Sequence, residues 1–194
     1  MLATMSSDKL SGAVNQQERS SSTEWLDALP VDLGHWVAGF VDGEGSFNVP
    51  IRRLRSGSMP FRISLSFNVS QLGSEELLLL KELFRAGTVR GRSDGVYYFE
   101  VTTVRELVGR IFPFFELFPL RGAKRHDLER FRRITAFIQS GRHLTSDGFV
   151  EILEMRAPMN RGGKRRRSDE ELIAALGSWN PQRPYAGLPL EAEG

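Results

Sequence analysis

Residues 36–47 read Trp36-Val37-Ala38-Gly39-Phe40-Val41-Asp42-Gly43-Glu44-Gly45-Ser46-Phe47. Trp36, Gly39, Phe40 and Gly43 fall at helical spacing, and Asp32 stands upstream as a candidate cap. Gly43 and Gly45 are expected to end the helix. Ala38, Gly39 and Gly43 lie close to one side of it, although glycine inside a helix costs about 1 kcal/mol relative to alanine. That cost is understandable where a second backbone must come close. The helix finishes on two carboxylates, Asp42 and Glu44, and negative charge at a helix C-terminus opposes the macrodipole. A bound cation would offset the repulsion; a helix end with incidental acids is the other reading of the same residues.

Downstream the period changes from that of a helix to that of a strand. In 46–54, Phe47, Val49 and Ile51 alternate with Ser46, Asn48 and Arg52. In 61–71, Phe61, Ile63, Leu65, Phe67 and Val69 alternate with Arg62, Ser64, Ser66, Asn68 and Ser70. With Gly57 and Pro60 between them, the two stretches predict a hairpin. Ser74 is placed to start a helix through Leu77, Leu80 and Phe84, closed by Gly87. Strands at 88–93 and 96–102 join at Asp94-Gly95, a good hairpin turn. Thr103 and Glu106 form a capping box for a helix to about Phe112, and further helices are expected at 126–139 and 146–156. The order α-β-β-α-β-β-α predicts an α+β fold, a four-stranded antiparallel sheet with helices on one face and a polar, open face on the other.

The 194 residues are 40% hydrophobic and 26% charged, the balance of a globular domain with room for tails. No stretch approaches the roughly 18 apolar residues of a membrane span, and the N-terminus lacks the pattern of a secretory leader. The absence of cysteine excludes disulfides, thiolate metal sites and cysteine nucleophiles. An intracellular protein with no membrane partner is expected. The net charge of +2 conceals an asymmetry. Residues 1–45 carry 2 Lys and Arg against 7 Asp and Glu, residues 46–133 carry 16 against 9, and residues 134–194 carry 8 of each. A basic middle suits an anionic partner, with a solvated surface as the alternative. Residues 1–23 read as a flexible tail, 24–160 as the folded domain and 161–194 as a basic tail. In that last stretch Lys164-Arg165-Arg166-Arg167 precedes a capping box, Ser168 with Glu171, and a short helix to about Leu176. His35, His126 and His143 show no metal-ligand spacing and receive no role.

The run Val37 to Gly45 resembles the nine-residue signature of the LAGLIDADG homing endonucleases. Val37 stands for the first Leu, Phe40 and Val41 for Leu and Ile, Gly43 for Ala, and Glu44 for the second Asp. Ser46-Phe47, Ser66-Phe67-Asn68-Val69-Ser70-Gln71 and Pro119-Leu120-Arg121-Gly122-Ala123-Lys124-Arg125 are also similar to the family. The resemblance covers residues 30–160. It implies the αββαββα fold and a site-specific double-stranded DNA endonuclease of intron homing. Such an enzyme hydrolyses phosphodiester bonds with a divalent metal, Mg2+ or Mn2+. One copy of the signature is visible, so the implied active species is a homodimer on a palindromic or near-palindromic site. Trp36, Ala38, Gly39, Phe40 and Gly43 would form the dimer interface. Glu44 is the implied metal ligand, with the backbone carbonyl of Gly43 beside it, both hard oxygen donors. Asp42 is expected to hold the helix end. Gln71 matches a position that orients active-site water. Arg121 or Lys124 supplies the basic partner of the phosphate, the choice between them staying open.

The resemblance makes the open sheet face a DNA-reading surface, since a two-stranded ribbon enters the major groove. Its outward positions are Ser46, Asn48, Arg52, Arg62, Ser64, Ser66, Asn68, Ser70, Arg90 and Arg92, joined by Tyr98, Glu100 and Thr102. Arg53, Arg55, Arg130 and Arg133 are placed for phosphates or for water. Two alternatives share the fold: a maturase that assists splicing of intron RNA, and a non-catalytic DNA-binding regulator. The absence of self-splicing blocks around the motif favours a free-standing protein over an intein.

Overall fold

The computed structural model describes residues 24–54, 59–162 and 167–179. The expected tail 1–23, Arg55, Gly57 and the basic residues Lys164, Arg165 and Arg166 lie outside the described residues. After a helical turn, α1 (24–27), the signature helix α2 runs Val31–Glu44 and passes straight into β1, Gly45–Asn48. Pro30 occupies the N-cap and gives no side-chain cap, while Asp32 lies in the first turn, where its charge favours the dipole. Gly43 continues the helix, and Gly45 alone closes it, its N–H donating to Val41 O. A Cβ on Gly45 would stand 2.6 Å from Val41 Cγ1 and 2.7 Å from Val41 O. Only glycine lets the chain turn from helix to strand there without a loop.

Each of the two long strands expected from the alternation is broken once. The first divides into β1 and β2, Ile51–Arg53; the second into β3, Phe61–Ile63, and β4, Ser66–Leu72. Pro50 stands at the break and has no N–H to give a ladder. Its carbonyl still accepts from Ser64 N–H at 2.9 Å. β2 and β3 form their own antiparallel pair, with Ile51 opposite Ile63, Arg52 opposite Arg62 and Arg53 opposite Phe61. The four-stranded sheet has the order β1-β4-β6-β5, with β5 at Thr88–Gly91 and β6 at Val96–Val101. Ser66, expected among the outward serines, is only 6% exposed. Leu65, Ser66 and Phe67 are buried in succession, because the in-out alternation lapses where the ladder breaks.

The helix α3, Glu75–Phe84, is closed by Arg85 in the left-handed conformation (φ 48°), ahead of the expected Gly87. The β5–β6 hairpin turns at Asp94-Gly95 as expected, closed by Arg92 N–H donating to Val96 O at 2.8 Å. Thr103 caps α4, Val104–Glu106, by accepting from Glu106 N–H. The chain then runs through a π turn, Leu107–Ile111, into α5, Phe112–Leu117, beyond the expected end near Phe112. Pro113 is what makes the wide turn useful. It cannot donate to the turn before it, and its position early in α5 is one that tolerates proline. The remaining helices are α6, Lys124–Gln139, α7, Ser146–Arg156, and α8, Asp169–Gly177, the last begun by the expected Ser168–Glu171 capping box. Short 3-10 turns lie at Arg142–Leu144 and Met159–Gly162.

The described residues divide into two compact units, those within 24–45 and 69–122 and those within 46–68 and 123–179. The core of the first is aromatic around Phe84, whose ring meets Phe114 edge-on at 5.1 Å and Phe99 at 6.0 Å. Val37, Val41, Leu77 and Leu80 are fully buried with it. In the second unit Phe47 stacks on Phe67 at 5.1 Å and touches Phe131 at 5.4 Å, and Phe61 stacks on Phe149 at 5.2 Å.

Candidate functional site

The helix α2 has two unlike sides. Gly34, Val37, Ala38 and Val41 are buried. Trp36, Gly39, Gly43 and Glu44 are exposed and Phe40 is half-buried. Positions 36, 39, 40 and 43 recur three and four apart, so they share one stripe. Trp36, 45% exposed, stacks on Phe40 with ring centroids 5.3 Å apart. A Cβ added to Gly39 or Gly43 would meet nothing within 4 Å. Ala38, grouped with these residues in the sequence reading, is instead buried within the single chain at 5% exposure. It lines a cleft of about 340 Å3 with His35, Gly39, Asp42, Pro119 and Arg121. His35 packs edge-on against Phe118 at 5.3 Å.

The two acids at the end of α2 have different surroundings. Asp42 Oδ2 accepts from the backbone N–H groups of Arg121 at 2.8 Å and Gly122 at 2.9 Å. It therefore ties the turn after α5 to the last turn of α2. Glu44 is exposed at the helix terminus. Gly43 belongs to the last turn of α2. A carboxylate and a carbonyl are oxygen donors of the kind a hard divalent cation takes, and Mg2+ commonly completes its shell with water and substrate phosphate. Among the described residues no three His, Cys, Asp or Glu side chains converge on one point. Glu44 and the Gly43 carbonyl fit a hard divalent cation as part of its oxygen shell.

Of the two basic candidates, Arg121 lines the cleft beside α2. Lys124 opens α6 in the other unit. Gln71 lies half-buried on β4, its Oε1 accepting from Leu72 N–H at 3.1 Å.

On the β5–β6 hairpin Arg90 stands opposite Tyr98. Arg92 donates to Tyr98 Oη at 2.9 Å and pairs with Asp94 at 3.0 Å, its guanidinium 5.9 Å from the Tyr98 ring centroid. The Tyr98 hydroxyl, then Asp94, hold the Arg92 pKa above its ordinary value. In the second unit Arg52 and Arg62 are both exposed, while Ser64 and Asn68 are half-buried. Asn68 Nδ2 donates to Ser66 Oγ at 3.4 Å. Ser70, in the first unit, is half-buried on β4.

Ser46 and Asn48 meet a residue that the sequence reading passed over. Asn160 accepts from Ser46 Oγ at 3.2 Å, and its Nδ2 donates to Phe47 O at 2.9 Å and Asn48 Oδ1 at 3.0 Å. It holds φ at 52°, and its backbone N–H donates to Asp127 Oδ2 at 3.1 Å. Arg156 was passed over too. It is 8% exposed, donates to Val49 O at 3.3 Å and to Asp169 Oδ1 at 2.8 Å, and so ties α8 to α7 and to the chain after β1. Asn near Pro158 and Gly162 is a turn signal, so position 160 was findable as a turn though not as a clasp. No local pattern marks Arg156.

The LAGLIDADG endonuclease family pattern matches residues 37–135. A probable intron-encoded endonuclease of Neurospora crassa is 32% identical over 137 residues, 68% of this chain and 28% of its own length. The crystal structure of a homing endonuclease, I-TnaI, superposes with a TM-score of 0.64 at 33% identity, over 74% of this chain and 95% of that one. I-SmaMI, solved bound to an uncleaved DNA target in the presence of calcium ions, superposes with a TM-score of 0.62 at 30% identity, over 66% of this chain and 44% of that one. This chain spans from a quarter to about half of the length of the curated relatives it matches. The match begins at the signature helix and runs through both strand pairs into α6, and with it the chain belongs to the LAGLIDADG endonuclease family.

Proposed function

We propose that this protein is a site-specific endonuclease that cuts double-stranded DNA as a homodimer with divalent metal, Mg2+ or Mn2+. The observation that carries the reading is the exposed stripe of α2. A Cβ on Gly39 or Gly43 would meet nothing within 4 Å, and the stripe ends on the exposed carboxylate of Glu44. A second copy of α2 laid along it would bring two backbones together where neither carries a Cβ. It would also bury Trp36 and Phe40, each worth about 1.5–3 kcal/mol when fully removed from water. The same contact would bring two Glu44 carboxylates and two Gly43 carbonyls to one axis.

Bound there, a divalent ion would polarise the scissile phosphate and lower the pKa of a coordinated water. This chain's residues do the rest. Glu44 and Gly43 hold the site, Asp42 fixes the backbone of Arg121 and Gly122, and Arg121 offers its charge to phosphate. Gln71 is assigned to orienting water, and Lys124 remains the second basic candidate. Arg52, Arg62, Arg90, Arg92, Ser46, Asn48, Ser64, Asn68 and Ser70 are assigned to DNA, and Ser66 is dropped from that set because it is buried. I-SmaMI, bound to DNA with calcium present, supports the choice of ligand and of ion class.

The test is a cleavage selection on a randomised, near-palindromic duplex library in Mg2+ and in Ca2+. Recovery of one cut sequence in Mg2+ is expected. Enrichment of bound but uncut DNA in both ions would replace the nuclease with a regulator, and binding of intron RNA alone would replace it with a maturase.

A further inference from the structure

We infer that Asp94, in the turn of the β5–β6 hairpin, is a positioning residue for Arg92, so that Arg92 meets DNA as a preset donor to a base edge and not as a loose charge on the phosphates. The inference rests on the proposed reading of Arg92 as a DNA-facing residue and adds to it a residue with no assigned part. The hairpin fixes which side chains share that face. Phe99 is fully buried beside Phe84, so its neighbour Tyr98 lies on the opposite face, away from the core. Arg90 stands directly opposite Tyr98 in the ladder, and Arg92 N–H closes the turn on Val96 O at 2.8 Å. Arg92 is thus the diagonal neighbour of Tyr98, a spacing that long side chains bridge. The bridge is made: Arg92 Nη1 donates to Tyr98 Oη at 2.9 Å.

Asp94 takes the other terminal nitrogen. Arg92 Nη2 lies 3.0 Å from Asp94 Oδ2, while Asp94 Oδ1 accepts from Val96 N–H at 3.2 Å. The two carboxylate oxygens therefore have separate tasks, one in the turn and one on the guanidinium. Because the turn backbone holds the carboxylate, the hairpin itself grips Arg92. Both side chains are exposed, and such a pair contributes little to stability, so its consequence is orientation. The contacts to Tyr98 and Asp94 use two of the five N–H donors of the guanidinium and leave Nε and one hydrogen on each Nη. That remainder suffices for a contact to acceptors on a base edge, and its direction is set before DNA arrives. A phosphate carries no sequence information and asks mainly for positive charge. A carboxylate this close offsets that charge and repels the phosphate. The acid at position 94 thus weakens a phosphate contact and sharpens a base contact.

The experiment compares the full chain with Arg92→Ala, Asp94→Asn and Asp94→Ser by selection of bound duplexes in Ca2+, by titration at several salt concentrations and by thermal melting. Arg92→Ala identifies the base position that depends on Arg92. There the wild type is expected to prefer its base by about fivefold or more, a preference that Arg92→Ala loses with no change in salt slope. Asp94→Asn keeps an oxygen for Val96 N–H and turns toward Arg92 an NH2 group, which only donates. It should melt as the wild type does and bring the preference at that position to within about twofold. The slope of log K against log salt should steepen by up to about 0.9, because the released guanidinium reaches a phosphate. Asp94→Ser rebuilds the turn through its hydroxyl and should relax the same position, which keeps the test open if Asp94→Asn melts early. The double variant Arg92→Ala/Asp94→Asn should match Arg92→Ala at that position. Wild-type preference in Asp94→Asn and Asp94→Ser would overturn the inference while leaving Arg92 a reader. Equal weakening by Arg92→Ala on every sequence, with a shallower salt slope, would make Arg92 a phosphate contact and overturn it as well. A selection that Arg92→Ala leaves unaltered would remove Arg92 from the interface, and the inference with it. Failure of the wild type to select any sequence would remove the DNA reading itself.

Discussion

Arg52 lies directly opposite Arg62 in the β2–β3 ladder, and both side chains are exposed. Like charges at opposed ladder positions destabilise a strand pair, and here they sit on a short pair beside Pro50, where the main sheet has already been interrupted. The arrangement makes physical sense if the repulsion is relieved by an anion, and a DNA backbone or a guanine edge is such an anion or acceptor. Replacing either arginine with alanine is expected to leave thermal stability unchanged or raise it by up to about 1 kcal/mol. DNA affinity should fall. If the lost contact is to phosphate, the slope of log K against log salt should also drop by about 0.9. Titrations at several salt concentrations check this, and a fall in stability with no change in binding would refute it.

The glycines of α2 separate folding from assembly. A Cβ at Gly34 would lie 2.3 Å from Phe118 Cζ, so Gly34→Ala should destabilise the fold by about 1–3 kcal/mol. Gly39→Ala and Gly43→Ala meet open space in one chain and should gain up to about 1 kcal/mol of helix propensity each. If α2 pairs with a second α2, both should nevertheless weaken the dimer. Sedimentation at several concentrations is the readout, and wild-type association by both variants would place the dimer contact elsewhere.

Asp42 is tied to structure by two backbone donors, so Asp42→Ala should cost about 1–3 kcal/mol through loss of the charge-assisted hydrogen bonds from Arg121 and Gly122 N–H. Asp42→Asn keeps an acceptor and should cost less. Loss of cutting in Asp42→Asn at wild-type melting temperature would mean that this acid, too, serves the metal.

Arg156 is the clasp of α8. Arg156→Ala removes the bonds to Val49 O and to Asp169 and should destabilise by roughly 1–3 kcal/mol. Hydrogen exchange across 169–177 should rise first. Uniform loss of protection over the whole chain would show that α8 does not unfold separately.

The legibility of the sequence follows from how far apart the interacting residues lie. The helix from Val31 to Glu44 and the turn into β1 were readable because the residues that decide them are contiguous. The capping box at Ser168 and the hairpin at Asp94-Gly95 were readable for the same reason. Pro50 carried a visible warning against one unbroken strand, and the alternation around it overrode that warning; the burial of Ser66 followed. The job of Asp42 depends on backbone 79 and 80 residues away, and the clasp of Asn160 on Asn48 spans 112. Such partners leave no mark in local period or propensity.

Whether Glu44 holds metal for phosphodiester cleavage is decided by single-turnover cutting of the selected duplex with Glu44→Gln. The substitution removes a charge from an exposed helix end and should not harm folding. DNA binding in Ca2+ is expected at or above the wild-type level, with cutting in Mg2+ reduced to background. Cutting by Glu44→Gln at the wild-type rate would contradict it.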